Sequence, residues 1–171
     1  MDEIVLDLET KNLIPPDRDL SKLEISIVCI YSYQLDRYFC FKETELDKLR
    51  PFLQNSKLIG FAINRFDLPV LSRYINFSPK SSFDILEEIE LDLGQRVSLG
   101  LLAEINLGIK KTENGILAVE YYRNGQLDEL EKYCQKDVRL VKLLYDQLKD
   151  KGYLYVPGEI NSEIVKWKYL L

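Results

Sequence analysis

Four carboxylic acids lie in apolar stretches of this chain, where charged side chains are unexpected. They are Asp7, Glu9, Asp67 and Asp137. Burying a carboxylate costs several kcal/mol or more unless it is paired or bound to a metal. A divalent cation is the simplest partner, and Mg²⁺ binds a few carboxylates while it keeps waters and substrate phosphates. The predicted chemistry is therefore hydrolysis of a phosphate ester by a metal-activated water.

Each acid taken alone has a simpler interpretation. Asp7 and Glu9 share one face of a strand because they are two residues apart, but solvated acids at a strand end also have this spacing. Asp67 fits a helix N-terminus, where an anion is favoured. Tyr133 and Asp137 share one helix face. Only a fold that packs this last helix against the first strand would bring the four acids together.

The surrounding pattern predicts the elements that must position these residues. Alternating or continuous apolar residues predict strands at 3–8, 23–33, 37–41, 57–63 and 82–85. Helical spacing predicts helices at 43–53, 66–74, 97–107 and 116–122, a helix capped by Asp84, and a long helix from 127 to Gly152. The order predicts an α/β fold with helices packed on a mixed sheet.

Composition narrows the class of protein. The chain has 171 residues, the length of one domain, and its net charge of −5 argues against a broad basic surface for nucleic acid. This charge is still compatible with an enzyme that binds only a short end of a nucleic-acid strand. The chain has no histidine. This excludes the serine and cysteine catalytic triads that need a histidine base, and it excludes histidine-rich metallohydrolase sites. Any general base is a carboxylate, a tyrosine, a lysine or a metal hydroxide.

Cysteine content and the absence of long apolar runs bear on the compartment. Cys29, Cys40 and Cys134 are an odd number at wide spacings, which favours reduced thiols over a disulfide framework or a zinc site. The chain starts at Met1 without a signal peptide or a membrane span, so we expect a cytoplasmic protein.

Three motifs resemble those of the DEDD, or DnaQ-like, 3′–5′ exonucleases of the ribonuclease H-like superfamily. The motifs are Asp7-Leu8-Glu9-Thr10, the segment 60–71 (GFAINRFDLPVL) and Tyr133-Cys134-Gln135-Lys136-Asp137. Tyr133 is typical of the tyrosine subclass, similar to exonuclease domains of family B DNA polymerases and to bacterial proteins of the YprB type. The resemblance implies one ribonuclease H-like domain over 1–171, with a central five-stranded sheet whose first three strands are antiparallel and the rest parallel.

The resemblance also implies roles for the motif residues. Asp7, Glu9 and Asp137 would hold one Mg²⁺ or Mn²⁺ ion, and Asp7 and Asp67 would hold a second. Tyr133 would orient the attacking water. The chain departs from family B domains at Ala62, where they usually have asparagine, and Asn64 is a candidate substitute.

The implied substrate is single-stranded DNA or RNA with a 3′ end. Candidate substrate contacts are Thr10, Phe61, Asn64, Phe66 and Lys110. The two phenylalanines either stack on bases or fill the core. The pair Lys110-Lys111, like Arg96, either contacts phosphates or is ordinary surface charge.

Two other functions fit the same residues: an endonuclease, or a catalytically weak binding or scaffolding module. The tail, 159–171, bears on the second. Its apolar residues fall near helical spacing, at Ile160, Ile164, Val165, Trp167 and Leu170. This tail would dock on its own domain, on a protein partner or on a second copy.

Overall fold

Five strands form one mixed sheet with the first strand at its centre. The structure is a computed structural model that describes residues 1–111, 115–157 and 164–169. The strands are β1 (Glu3–Thr10), β2 (Ile25–Ser32), β3 (Arg37–Lys42), β4 (Lys57–Gly60) and β5 (Ser81–Asp84), in the order β3-β2-β1-β4-β5. β1, β2 and β3 pair antiparallel, and β1-β4 and β4-β5 pair parallel. The predicted α/β fold with this sheet is confirmed.

Helices cover both faces of the sheet. They are α1 (Leu46–Leu53), α2 (Asp67–Leu71), α3 (Ile85–Leu93), α4 (Leu99–Leu107), α5 (Gly115–Arg123) and α6 (Leu127–Lys151), with short 3-10 turns at Leu20–Lys22 and Glu43–Glu45. Gly152 caps the C-terminus of α6, and its φ of 71° suits a residue without a Cβ. None of the helices in the described ranges is both long and apolar enough to cross a membrane.

The two faces of β1 belong to different hydrophobic clusters. Ile4, Leu6 and Leu8 pack with α1 and α2, whereas Val5 packs in the cluster that contains α6. Successive side chains of a strand alternate between faces, so Asp7 and Glu9 follow Val5 towards α6. The alternation of side chains along β1 therefore points both acids towards α6, the helix that carries Asp137.

The tail forms a strand rather than following its helical spacing. β6 (Tyr153–Pro157) and β7 (Ile164–Lys168) are an antiparallel pair. Trp167 is buried, and its Nε1 donates a hydrogen bond to Asp92 at 2.8 Å. The described part of the tail thus packs on its own domain, which does not support the predicted partner or dimer contact. Ile160 and Leu170 lie outside the described residues.

Two of the cysteines form a disulfide, so the prediction of reduced thiols is wrong for Cys29 and Cys40. These residues are direct partners in the β2-β3 register, with their Cα atoms 4.2 Å apart. Cysteine number and spacing could not reveal this pairing, because it depends on the register of neighbouring strands. Cys134 is free and buried.

Candidate active site

Three of the four predicted acids converge where α6 crosses the end of β1. One carboxylate oxygen from each of Asp7, Glu9 and Asp137 lies within 4.8 Å of the others. Asp137 is buried on the face of α6 that packs on the sheet. A set of carboxylate oxygens is the donor set that Mg²⁺, Mn²⁺ and Ca²⁺ prefer. This acidic cluster therefore fits a hard divalent cation.

Asp67 reaches the same place from the loop after β4. It is the first residue of α2, is 4% exposed, and its Oδ1 accepts a hydrogen bond from the Leu8 amide at 3.0 Å. Leu8 lies between Asp7 and Glu9 on β1. Asp67 is not part of the three-residue group, but it lines the same cavity.

Burial and mutual repulsion change the acidity of these carboxyl groups. Burial is the main cause for all three shifts: it raises the pKa of Glu9 and of Asp67 to about 8, and the pKa of Asp7 well above its ordinary value. Neighbouring carboxylates raise each of these pKa values further. The hydrogen bond from the Leu8 amide lowers the pKa of Asp67 and so partly offsets its shift. Without a cation, the cluster therefore retains protons at neutral pH.

Lys111, for which the sequence left open a phosphate contact or ordinary surface charge, lies at the acidic cluster and lines its cavity. Its ammonium pairs with Asp137, lies 5.2 Å from the centre of the Tyr133 ring, and opposes the raised pKa of Asp7 and Glu9. Its side chain is 14% exposed. The sequence prediction chose Lys110, whose side chain is 75% exposed and pairs with Glu104. No sequence signal separates these adjacent lysines, because the loop conformation decides which one points inwards.

The acids lie in a cavity of about 520 Å³ with largely apolar walls. Of the predicted substrate contacts, Thr10, Phe61 and Phe66 line this cavity, as does Tyr133. Asn64 does not line it, because its Nδ2 donates to Glu87 on α3. Three exposed apolar residues also line the cavity. They are Leu13, Ile14 and Ile116, which are 48%, 53% and 52% exposed.

Asp84 holds the turn that leads to Asp67. Its buried carboxylate accepts hydrogen bonds from the amides of Leu86 and Glu87, which is the predicted helix cap. It also accepts from the amides of Ala62 at 2.8 Å and Asn64 at 3.0 Å. Ala62 has a φ of 62°, a conformation that asparagine and glycine adopt more readily than alanine. One carboxylate thus joins α3 to the second motif.

Comparison with known proteins identifies the family to which the chain belongs. A family profile described as 3′–5′ exonuclease matches residues 1–152. The chain belongs to this family. The predicted membership of the DEDD exonucleases is thereby confirmed. No curated protein matched the chain.

Solved structures of RNase D and NrnC share the fold. Trypanosoma brucei RNase D has a TM-score of 0.65 and 19% identity over 92% of this chain and 58% of its own. Its complex with RNA U12 has a TM-score of 0.62 and 18% identity over 84% and 54%. Brucella melitensis NrnC with bound Mg²⁺ has a TM-score of 0.54 and 22% identity over 88% and 75%. The chain therefore spans a little over half of the two RNase D structures.

Proposed function

We propose that this domain is a metal-dependent 3′–5′ exonuclease that releases nucleoside monophosphates from single-stranded DNA or RNA. The observation that carries this proposal is the convergence of Asp7, Glu9 and Asp137 in an open cavity of a 3′–5′ exonuclease domain. An exonuclease needs a concave site that accepts a strand end and a cation that neutralises the phosphate. The cavity and the acids supply both requirements.

Two Mg²⁺ or Mn²⁺ ions fit the carboxylates of this cavity. Asp7, Glu9 and Asp137 would hold one ion, and Asp7 and Asp67 would hold the other. The raised pKa values support this proposal, because acids that retain protons at neutral pH need a cation to ionise together. When bound, the ions would activate a water and stabilise the charge that develops on the phosphodiester.

Tyr133 and Lys111 have separate roles beside these acids. Tyr133 is 4% exposed and borders the cavity, so its hydroxyl is suited to orient the attacking water, as in the tyrosine subclass. Lys111 offers an ammonium to a non-bridging oxygen of the scissile phosphate. Because Lys111 pairs with Asp137, a cation that binds Asp137 would free this ammonium for the substrate.

The walls of the cavity favour unpaired bases over a duplex. Phe61 and Phe66 present aromatic surface on which a base can stack, and Leu13 and Ile14 add exposed apolar surface. The RNA bound to RNase D supports RNA as one substrate. Contacts with phosphate oxygens alone do not select the sugar, so DNA is included.

The direct test is digestion of a single strand labelled at its 5′ end in the presence of Mn²⁺. We expect products that shorten one nucleotide at a time, and loss of activity in Asp7→Asn. Asp128→Asn is the matched control, because this acid is exposed on the first turn of α6 and should leave the rate unchanged. Full activity in Asp7→Asn would overturn the proposal.

The same assay separates the two alternatives. An endonuclease would cut a circular single strand and produce internal fragments at early times. A scaffolding module would neither shorten the strand nor bind Mn²⁺ in a calorimetric titration that depends on Asp67. The exonuclease should spare the circle, degrade the linear strand and bind the cation.

A further inference from the structure

Asp84 is a buried acid that does not line the catalytic cavity, yet its contacts reach the second motif. It is the last residue of β5 and is 1% exposed. Its partner in the parallel register is Gly60, the last residue of β4. The chain leaves β4 at Gly60 and passes through a turn before α2 begins at Asp67. Asp84 therefore lies beside the start of the segment that leads to a proposed metal ligand.

The two carboxylate oxygens of Asp84 have different partners. Oδ1 accepts from the amide of Ala62 at 2.8 Å, and from those of Leu86 and Glu87 on α3 at 3.1 and 3.2 Å. Oδ2 accepts from the amide of Asn64 at 3.0 Å. An ionised carboxylate has about four acceptor sites and no donor, so it suits four converging amides. A side chain with a single oxygen cannot serve both sides of this arrangement.

The turn held by Asp84 forms one wall of the catalytic cavity. Four residues line the cavity from this segment: Phe61, Ala62, Phe66 and Asp67. The carbonyl of Ala62 accepts from the amides of Arg65 at 3.2 Å and Phe66 at 3.0 Å. Ala62 is thus bonded on one side to Asp84 and on the other to the residues that directly precede Asp67. These bonds connect the anchor on β5 to the first residue of α2.

We propose that Asp84 is a positioning residue for the exonuclease reaction, because it holds the Asp67 carboxylate where the second cation would bind. This inference rests on the proposed function. Asp7 and Glu9 are fixed by regular pairing of β1 with β2, whereas Asp67 follows an irregular turn. The Leu8 amide bonds to the side chain of Asp67 at 3.0 Å, and the turn anchored by Asp84 carries its backbone.

Asp84→Asn replaces one oxygen with an amino group and tests the anchor directly. Asparagine can keep its oxygen at the Oδ1 position, which retains the bonds to Ala62 and to α3. Its amino group then faces the Asn64 amide, so two donors meet where a bond existed. We expect the Leu8 amide to exchange with solvent at least about tenfold faster, because its acceptor on Asp67 is held less well. Hydrogen exchange followed by NMR in EDTA measures this without metal or substrate.

The exonuclease assay gives a second readout. Asp84→Asn should lower the rate at subsaturating Mn²⁺ by roughly tenfold, because a displaced ligand weakens the cation site. More Mn²⁺ should recover part of this loss. In an Asp67→Asn background the same substitution should cost less than about twofold, because the ligand that it positions is already lost. A role in stability alone would lower the rate equally in both backgrounds.

Asp2→Asn is the matched control. Asp2 also accepts from a backbone amide, that of Gln34 at 2.9 Å, but it precedes β1 at the end far from the acidic cluster. This control should change neither the exchange of the Leu8 amide nor the rate. Asp84→Ser is a second variant for the case in which thermal unfolding shows that Asp84→Asn does not fold. Serine is a good helix cap with one oxygen, so α3 should persist while the turn loses its anchor.

The wild-type protein provides a test that needs no variant. Its Asn64 and Leu8 amides should show similar protection from exchange, because one anchored turn controls both. Much faster exchange at Asn64 than at Leu8 would overturn the proposal, as would unchanged Leu8 protection in a folded Asp84 variant. Equal loss of rate with and without the Asp67 carboxylate would also overturn it. If the wild-type chain degrades no strand, the proposed function fails, whereas exchange at Leu8 still tests the role of Asp84.

Discussion

Asp67 Oδ1 accepts a 3.0 Å hydrogen bond from the amide of Leu8, which joins the second motif to the strand that carries Asp7 and Glu9. The carboxylate of Asp67 therefore has both a structural bond and a charge suited to a metal. Substitution can separate these two contributions. Asparagine retains an oxygen that can accept from Leu8 but has no charge, whereas alanine has neither.

We predict that Asp67→Asn reduces exonuclease activity by roughly 10²-fold, the scale expected for losing one electrostatic contact with the transition state. Its free energy of unfolding should not fall, because the amide oxygen of asparagine can still accept the hydrogen bond from Leu8. Asp67→Ala should lose the same activity and also about 1–3 kcal/mol of stability, because the buried Leu8 amide loses its partner. Denaturant unfolding and single-turnover rates measure the two effects. Equal stability of the two variants would contradict the structural role of this bond.

The raised carboxyl pKa values predict how stability depends on pH. The pKa of Glu9 is about 8 in the folded protein, against 4.5 as its ordinary value, so the folded state binds more protons between these pH values. Stability in EDTA should therefore fall as pH rises through this window, because each unit of raised pKa corresponds to about 1.4 kcal/mol. Thermal unfolding from pH 5 to 9 measures it.

A divalent cation should counter this loss. Mn²⁺ binds the ionised acids, so it should raise the unfolding temperature more at pH 8 than at pH 6. In the absence of metal, Glu9→Gln should make the decline with pH shallower. Parallel pH profiles with and without Mn²⁺ would contradict a cation site at the acidic cluster.

Lys111→Gln should change activity and metal affinity in opposite directions. Removal of the ammonium beside Asp137 makes the cluster more negative, so Mn²⁺ should bind several-fold more tightly. The rate of hydrolysis at saturating Mn²⁺ should nevertheless fall at least about tenfold, because a positive charge near the phosphate is lost. Lys110→Gln is the control and should change neither quantity. Loss of metal affinity in Lys111→Gln would contradict this arrangement.

Ala62→Gly should stabilise the protein by roughly 0.5–1 kcal/mol. Ala62 has a φ of 62°, where a Cβ is strained and glycine is not. Ala118→Gly, at a buried helical position, should instead destabilise the protein by about 1 kcal/mol or more. Chemical denaturation of both variants tests this contrast. Destabilisation by both substitutions would show that the conformation of Ala62 carries no strain.

The sheet and the long helix were predictable because their apolar periods are local. β1 alternates around Asp7 and Glu9, and the core stripe of α6 repeats at three and four residues up to Gly152. The predicted bounds of shorter elements were less accurate. The strand predicted at 57–63 ends at Gly60, and the helix predicted at 66–74 covers only Asp67–Leu71. The second motif forms a turn between them, held by Asp84 through bonds that no local pattern indicates.

The tail shows how pairing can override a local pattern. Its apolar residues fall near helical spacing, yet residues 164–168 form a strand. Hydrogen bonds with β6 and burial of Trp167 decide this segment. The disulfide between Cys29 and Cys40 has the same origin, because neighbouring strands bring them into direct register.

The sequence by itself determined the family, the mixed sheet and which acids share a strand or helix face, because side-chain direction follows from the backbone period. Only the tertiary structure decided that Asp7, Glu9 and Asp137 lie within 4.8 Å, that Asp67 bonds to Leu8, and that Lys111 rather than Lys110 points inwards. These relationships join residues distant in the chain or depend on a loop. Distances and pKa shifts of this kind arise from packing, which a one-dimensional pattern does not contain.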